Sequence, residues 1–511
     1  MTDQAPSSLS GPKDRQPAGS LTQRTLTGFL WTFSGAGAQI VLRIGVLAIL
    51  ARLLTPADFG IVGAALIVVA FTEIFSQLGV GQAIVQRSDL TDRHIRTAMT
   101  FSACLGIGMG ALIFALSDQI AALFRIDGVQ PVIAVLALAF PIKGVSLVAE
   151  ALLQRWMQFK KLAAITVASY VFGYAAIAIS LASTGWGVKA LVYGHLAQIS
   201  LMAAGHLFYT PQRLGFALDF PALRQLLNFG GGLSLARIGN YIALNADNFI
   251  VARWLGADAL GIYGRAYQFL MQPTNLLGST VDRVLFPAMS SVQSDERRLA
   301  HAYTLTVALT AMTSLPLSAV LVVLAPELVR LLLGNQWTDV TLPFQILATC
   351  LVFRAGYKAN ALVARAKGAV YRNAWRQWVY AVLVSAGAWI GHFMGLNGVA
   401  LGVAAAIAIQ FAIMLEFGRR LTDVAFGDLI LIYLRHLTVA LLVGSAVLAA
   451  KTGLRSYLVS DIEILLVGLF AAAFMLGVIA FCAPRLFGDE GQWAIFRFKE
   501  RLAMLEGRPA Q

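Results

Sequence analysis

Charged side chains are scarce in this chain. Asp, Glu, Lys and Arg make up 13% of its 511 residues, about half the share in a typical soluble domain, while 58% of residues are hydrophobic and the mean hydropathy is +0.73. A water-solvated globule is excluded. Cysteine is nearly absent, with three in all. Cys104, Cys350 and Cys482 lie inside apolar runs without CxxC spacing or a neighbouring His, which argues for buried small hydrophobes and against a disulfide or metal framework. The alternating ten-residue segments of a membrane β-barrel are also missing. No connecting loop exceeds about twenty residues, so there is no room for a soluble catalytic domain. HExxH, nucleotide-loop and zinc spacings are absent, and no cofactor is expected.

Apolar runs rich in Leu, Ala, Val and Gly are present from Gly28 almost to Pro484. Crossing about 30 Å of hydrocarbon takes roughly 20 such residues as helix. Division at polar, turn-rich breaks predicts an all-α integral membrane protein of about fourteen transmembrane helices. Residues 1–27, rich in Pro, Ser, Gly and Thr, read as a disordered cytoplasmic tail. Residues 485–511 place Ile495, Phe498, Leu502 and Leu505 at helical spacing beside Arg497, Lys499 and Arg501, as expected of an amphipathic helix on an anionic leaflet.

The net charge of +13 and the pI near 9.9 first suggest nucleic acid. With both termini cytoplasmic, however, about 26 of the 39 cations fall on inside segments and about seven outside. The excess is a record of topology, and no soluble basic face remains for nucleic acid. This orientation predicts a multi-pass membrane protein with both termini cytoplasmic.

One junction is written twice. "ARLLTPADFGIVG" at 51–63 and "ARWLGADALGIYG" at 252–264 align at an offset of 201, matching Ala, Arg, Leu, Gly, Ile and Gly. Arg52 and Arg253 end a helix at the predicted outer surface, as topology anchors or an outer gate. Asp58 or Asp258 follows as a cap, and glycines open the next helix. Six helices separate the copies, so both cross in the same direction. The period predicts two parallel six-helix lobes, 28–209 and 228–421, joined by a cytoplasmic linker at 210–227 and followed by a helix pair at 422–484. Parallel repeats of this kind are one architecture of alternating-access transporters, with the substrate path expected between the halves.

Six cations stand inside proposed spans: Arg43, Lys143, Arg237, Arg265, Arg354 and Lys358. Unpaired, they would together cost on the order of 15 to 20 kcal/mol, so they must meet anions or water. Arg43 is near the middle of the first helix with Gln39 one turn earlier, and either lines a polar cavity or pairs with Glu73. Arg354 and Lys358, at i and i+4, repel unless an anion bridges them or each snorkels away. Arg237, Asn240, Tyr241, Asn245 and Asp247 make the seventh helix polar at its centre; Asp247 is a possible partner for Arg237, and Arg265 could reach outer headgroups. Lys143 and Glu150, seven apart on one face, together with Glu73 and Asp247, are candidates for an internal ion-pair network or for coupling. Arg43, Arg237, Arg265, Arg354 and Lys358 are candidate anion ligands, because a guanidinium fork matches phosphate oxygens. Gln39, Asn240, Tyr241 and Asn245 are polar cavity candidates. Gly106, Gly108, Gly110, Gly398 and Gly402 suit helix packing.

The stretches "LARLLTPADFGIVGAALIVVAFTEIFSQLGVGQAIVQR" at 50–87 and "QPTNLLGSTVDRVLFPAMSSVQSDERRL" at 272–299 resemble bacterial polysaccharide transporters of the oligosaccharide-lipid flippase type, including colanic acid and O-antigen exporters, within the multidrug/oligosaccharidyl-lipid/polysaccharide exporter superfamily. The resemblance covers roughly residues 28–484. It implies two six-helix lobes, a cationic cavity, and an undecaprenyl-diphosphate-linked oligosaccharide as substrate, with membrane lipids, a polysaccharide polymerase and glycosyltransferases as partners. Competing readings are a membrane glycan polymerase or ligase, which would need an outer catalytic loop, a drug or ion antiporter, which would favour buried carboxylates, and a structural scaffold, which would leave the buried cations without purpose.

Overall fold

A computed structural model describes residues 40, 42–77, 79–210, 215, 217–454 and 460–488; the side chains at 77, 227–237, 279–284, 288 and 370–371 stand outside this description. The predicted N-terminal tail, Gln39 and the C-terminal tail beyond Gly488 also lie outside the described residues. Helices account for nearly all of the described chain, and among the described residues there is no strand. Among the described residues, eight helical stretches are long and apolar enough to cross a membrane, or nine if the broken pair Asn335–Thr349 and Leu351–Ala366, bent by 40°, is one span. The expected fourteen is therefore not established. Part of the difference is chemical: the helix Val188–Phe208 carries His195, Gln198 and His206, and Phe220–Ser291 carries Asn240, Asn245, Asp247 and Asn248.

The chain separates into two compact units, one holding residues through Tyr241 together with Gly256–Gly261, the other Ile242–Leu255 and everything from Ile262 onward. In the first unit, helix α1 occupies 42–53. It is followed by α2 (Pro56–Gln77), α3 (Val80–Gln86), α4 (Asp92–Ala115), α5 (Ser117–Phe124), α6 (Val129–Leu136), α7 (Ala139–Arg155), α8 (Phe159–Ala168), a π-helical turn at Ser169–Ala175, α9 (Ala176–Ser183) and α10 (Val188–Phe208). Missing side chains let α4 and α7 touch backbone to backbone: a methyl on Gly106 would stand 2.6 Å from the Phe140 carbonyl oxygen, and one on Gly144 2.4 Å from that of Ser102. Small residues substitute for a hydrophobic driving force that lipid cannot supply. Gly108, one of the glycines expected at this packing, faces open space. Beyond α10, the backbone amides of Ala217 and Asp219 donate to Thr100 and Thr97 on α4.

Helix α11 (Phe220–Ser291) bends at Gly256, whose φ of 89° no L-residue adopts cheaply. In the second unit it is followed by α12 (Glu296–Leu333), α13 (Thr341–Thr349), α14 (Leu351–Ala366), α15 (Val370–Gly391), α16 (Gly395–Thr422), α17 (Phe426–Leu454) and α18 (Asp461–Cys482). α15 and α16 form a hairpin in which Gly387 meets Gly402 and Gly391 meets Gly398 at their backbones, two G-x-x-x-G faces in register. α17 and α18 pack on α12 through Val320, Leu324, Val439, Val443, Val447 and Ala472. Across that seam run Arg330–Asp461 at 2.8 Å and Lys451–Glu327 at 2.9 Å. α18 exposes Leu466, Phe470, Phe474 and Phe481, as a helix solvated by lipid does. The same logic corrects one expectation: only Cys350 is buried, whereas Cys104 and Cys482 are exposed. Around a membrane helix the outward face is as apolar as the interior, so an apolar neighbourhood in sequence does not signal burial.

Candidate functional site

The repeated junction has geometry specific to each copy. In the first, Thr55 and Asp58 cap α2 reciprocally: the Asp58 carboxylate accepts from the Thr55 amide at 2.8 Å, and Thr55 Oγ1 accepts from the Asp58 amide at 3.3 Å. In the second, the position aligned with Thr55 is Gly256 at positive φ, and Asp258 is exposed. Gly60 and Gly261, aligned with each other, sit in the first unit and make reciprocal contacts. A methyl on Gly60 would fall 1.8 Å from the Ala257 carbonyl oxygen, and one on Gly261 2.0 Å from that of Pro56. Arg52 is exposed, and Arg253 is half-buried with its guanidinium 5.8 Å from the Trp254 ring centre.

The embedded charges of the first unit gather where α2 faces α7. Lys143 Nζ lies 2.8 Å from Glu73 Oε2, with the two side chains 29% and 27% exposed, so the pair is formed yet still reachable. His195 on α10 lies within electrostatic reach of both. Two turns beyond Lys143, Glu150 accepts from Gln154 Nε2 at 3.0 Å and borders a cavity of about 320 Å³ between α3 and α7. Arg155 fastens those helices by donating to the carbonyls of Ile84 at 2.9 Å and Val85 at 3.2 Å, using groups that a helix C-terminus leaves unsatisfied. Arg43 is exposed on α1, 5.6 Å from the ring centre of Tyr170. Tyr170 lies in the π-helical turn and stacks on Tyr174 at 5.4 Å; such turns recur at functional positions.

The second unit encloses Arg354 and Asp247. Arg354 on α14 is 6% exposed and donates to the Tyr267 hydroxyl at 2.6 Å and the Tyr380 hydroxyl at 3.3 Å. Asp247 is 1% exposed and accepts from the Tyr263 hydroxyl at 2.8 Å and the Asn248 amide at 2.9 Å. Tyr263 and Tyr267, one turn apart on α11 with rings 6.0 Å apart, thus connect carboxylate and guanidinium. Buried charges require such partners. Lys358 lies across Gly278 and donates to Asn275 Oδ1 at 3.2 Å and to the Thr274 carbonyl at 3.4 Å. Arg354 and Lys358 therefore reach different ligands despite sharing a helix face.

Among the remaining candidates, Arg265 donates to Gln268 at 2.5 Å, the Tyr241 hydroxyl donates to the Ile67 carbonyl, Asn240 is exposed and Asn245 half-buried. The Arg237 side chain lies outside the described residues. Three tyrosines, Tyr263, Tyr267 and Tyr380, and the acid Glu327 escape a search confined to charges in mid-span. Their available signals are the i, i+4 spacing of the first two and the i, i+3 spacing of Glu327 with Arg330.

A family profile described as "Polysaccharide biosynthesis protein" matches residues 49–342. The chain is 25% identical to the lipopolysaccharide biosynthesis protein WzxC of Escherichia coli K12 over 391 residues, 75% of this chain and 78% of that protein. It is 28% identical to the succinoglycan biosynthesis transport protein ExoT of Rhizobium meliloti 1021 over 313 residues, 60% of this chain and 62% of that one. The inward closed conformation of the lipid II flippase MurJ matches its fold with a TM-score of 0.70, over 89% of this chain and 98% of that chain, at 12% identity.

Proposed function

The chain belongs to the polysaccharide biosynthesis protein family, and from that premise we propose that it is a flippase for an undecaprenyl-diphosphate-linked oligosaccharide. It moves this substrate from the inner to the outer leaflet of a bacterial inner membrane, supplying exopolysaccharide or O-antigen synthesis, and acts as a transporter and not as an enzyme. The observation that carries the reading is Arg43, a cation exposed on a helix whose other exposed residues include Gly45, Ile49 and Leu53. A guanidinium at such a position needs water or an anion, and diphosphate oxygens match its fork.

Arg43 is the cation we assign to the diphosphate, with Arg237, Arg265 and Lys358 as further candidates. Arg354, enclosed by tyrosine hydroxyls, is a positioning residue that acts through Tyr267. The Glu73–Lys143 pair is the coupling element, exchanging its partner for a proton or following the membrane potential, which supplies about 2.3 kcal/mol per charge per 100 mV. The prenyl chain stays in lipid, glycosyltransferases deliver the loaded carrier, and a polymerase receives it.

Liposomes containing the purified chain and a fluorescent prenyl-diphosphate sugar test this. Transport is expected in the wild type and a loss of at least tenfold in Arg43→Ala and in Lys358→Ala, with folding intact. Full activity in both variants removes the cationic assignment, and no transport by the wild type removes the function. Varying pH gradient and potential separately identifies the coupling; insensitivity to pH eliminates the proton.

A further inference from the structure

The cavity between α3 and α7 is not explained by anion binding. Among the described residues its polar lining consists of Gln82, Gln86, Glu150 and Gln154, three carboxamides and one carboxylate, with Glu150 as the one ionisable group. Leu147 supplies an apolar wall, and Gly81 leaves one side without a side chain. The volume of about 320 Å³ lies at the lower end of the range for small-molecule sites. Its walls are held by Arg155, which ties the end of α3 to α7.

We propose that this cavity is a subsite for one neutral hexose ring of the transported glycan. The inference rests on the flippase reading and adds to it the part of the substrate that the cations do not recognise. Sugar hydroxyls both donate and accept. Carboxamides offer both functions in fixed geometry, and a carboxylate accepts two donors at once. The apolar wall of Leu147 suits the C–H face of a pyranose. A diphosphate is disfavoured, since Glu150 repels it and no cation lines the cavity among the described residues. The same repulsion selects against a uronic acid ring. One substrate molecule therefore meets two chemistries, cations for its diphosphate and amides with a carboxylate for its sugar.

Gly81 provides a direct test because a methyl there meets Leu147 at 3.5 Å and Ala151 at 3.9 Å, ordinary contact distances, while a longer chain enters the cavity. Saturation-transfer difference NMR is recorded on the full chain in lipid nanodiscs, with methyl glucoside, methyl galactoside, methyl mannoside and glucuronic acid as probes. At least one neutral hexoside is expected to show transfer at least fivefold above glucuronic acid. That signal should fall at least fivefold in Gly81→Leu and at least threefold in Glu150→Gln, whose shape is conserved and which keeps the inference testable if Gly81→Leu does not fold. Absence of any hexoside signal in the wild type overturns the subsite, as does a signal unchanged in both variants. Prenyl-diphosphate sugar transport in liposomes is measured in parallel. Transport without hexoside binding removes the subsite and leaves the flippase reading standing; hexoside binding that the variants abolish, without wild-type transport, removes the flippase reading and leaves a sugar site.

Discussion

The two units treat embedded charge in opposite ways. In the first, Lys143 and Glu73 touch directly and remain more than a quarter exposed. In the second, Asp247 and Arg354 are almost fully buried and reach the protein through tyrosine hydroxyls. A direct, accessible pair can exchange a partner for water, a proton or a ligand at modest cost. An enclosed network cannot, because opening it strands a charge in a medium of low dielectric constant. Under the proposed mechanism, the contrast gives switching to the Glu73–Lys143 pair and scaffolding to the Asp247–Arg354 network.

Four measurements break or sharpen it. Arg354→Leu is expected to have the largest effect on stability, about 3 to 5 kcal/mol, because a buried network loses its cation; thermal unfolding in detergent should show a Tm lower by several degrees, and an unchanged Tm would end the scaffold assignment. Tyr263→Phe removes one donor from a buried carboxylate and should cost about 1.5 to 3 kcal/mol by the same assay. Lys143→Leu should cost only about 1 kcal/mol, as partly exposed pairs do, yet lower liposome transport at least tenfold; the reverse pattern, large in stability and silent in transport, would exchange the roles of the two charge networks. The exchange of Glu73→Lys with Lys143→Glu should be smallest, recovering stability to within about 0.5 kcal/mol of wild type, with the coupling energy read from the double-mutant cycle.

The residues of this contrast stand out in the sequence as polar side chains interrupting apolar runs, although the contrast between the units does not. Glu73, Lys143, Glu150, Asp247 and Arg354 all stand out against their neighbours. What spacing could not supply was the identity of each partner, since that depends on how helices distant in the chain are rotated about their own axes. Glu73 was open to Arg43, but the carboxylate bonds Lys143, seventy residues away. Arg237 was one possible partner for Asp247, and a tyrosine sixteen residues on supplies a hydroxyl. Tyrosines in apolar runs read first as interface anchors, so the hydroxyl links among α11, α14 and α15 stayed hidden. Packing glycines were more legible: the Gly398 and Gly402 face met a matching one at Gly387 and Gly391. Helix number was less so, because the polar centres that mark the interesting helices also remove them from an apolarity count.

The contact between Gly60 and Gly261 carries a consequence of its own. Each glycine presses on the backbone position that precedes its counterpart by four: Gly60 on Ala257, Gly261 on Pro56. In a symmetric dimer this is an isologous contact, where residue i meets residue j and j meets i, and one mutation strikes twice. A single chain carrying both halves separates the two events. A side chain gained at position 60 is felt at 257 and leaves the contact of 261 with 56 to be altered independently, so each half of the seam can be tuned alone, a freedom that two identical subunits do not have.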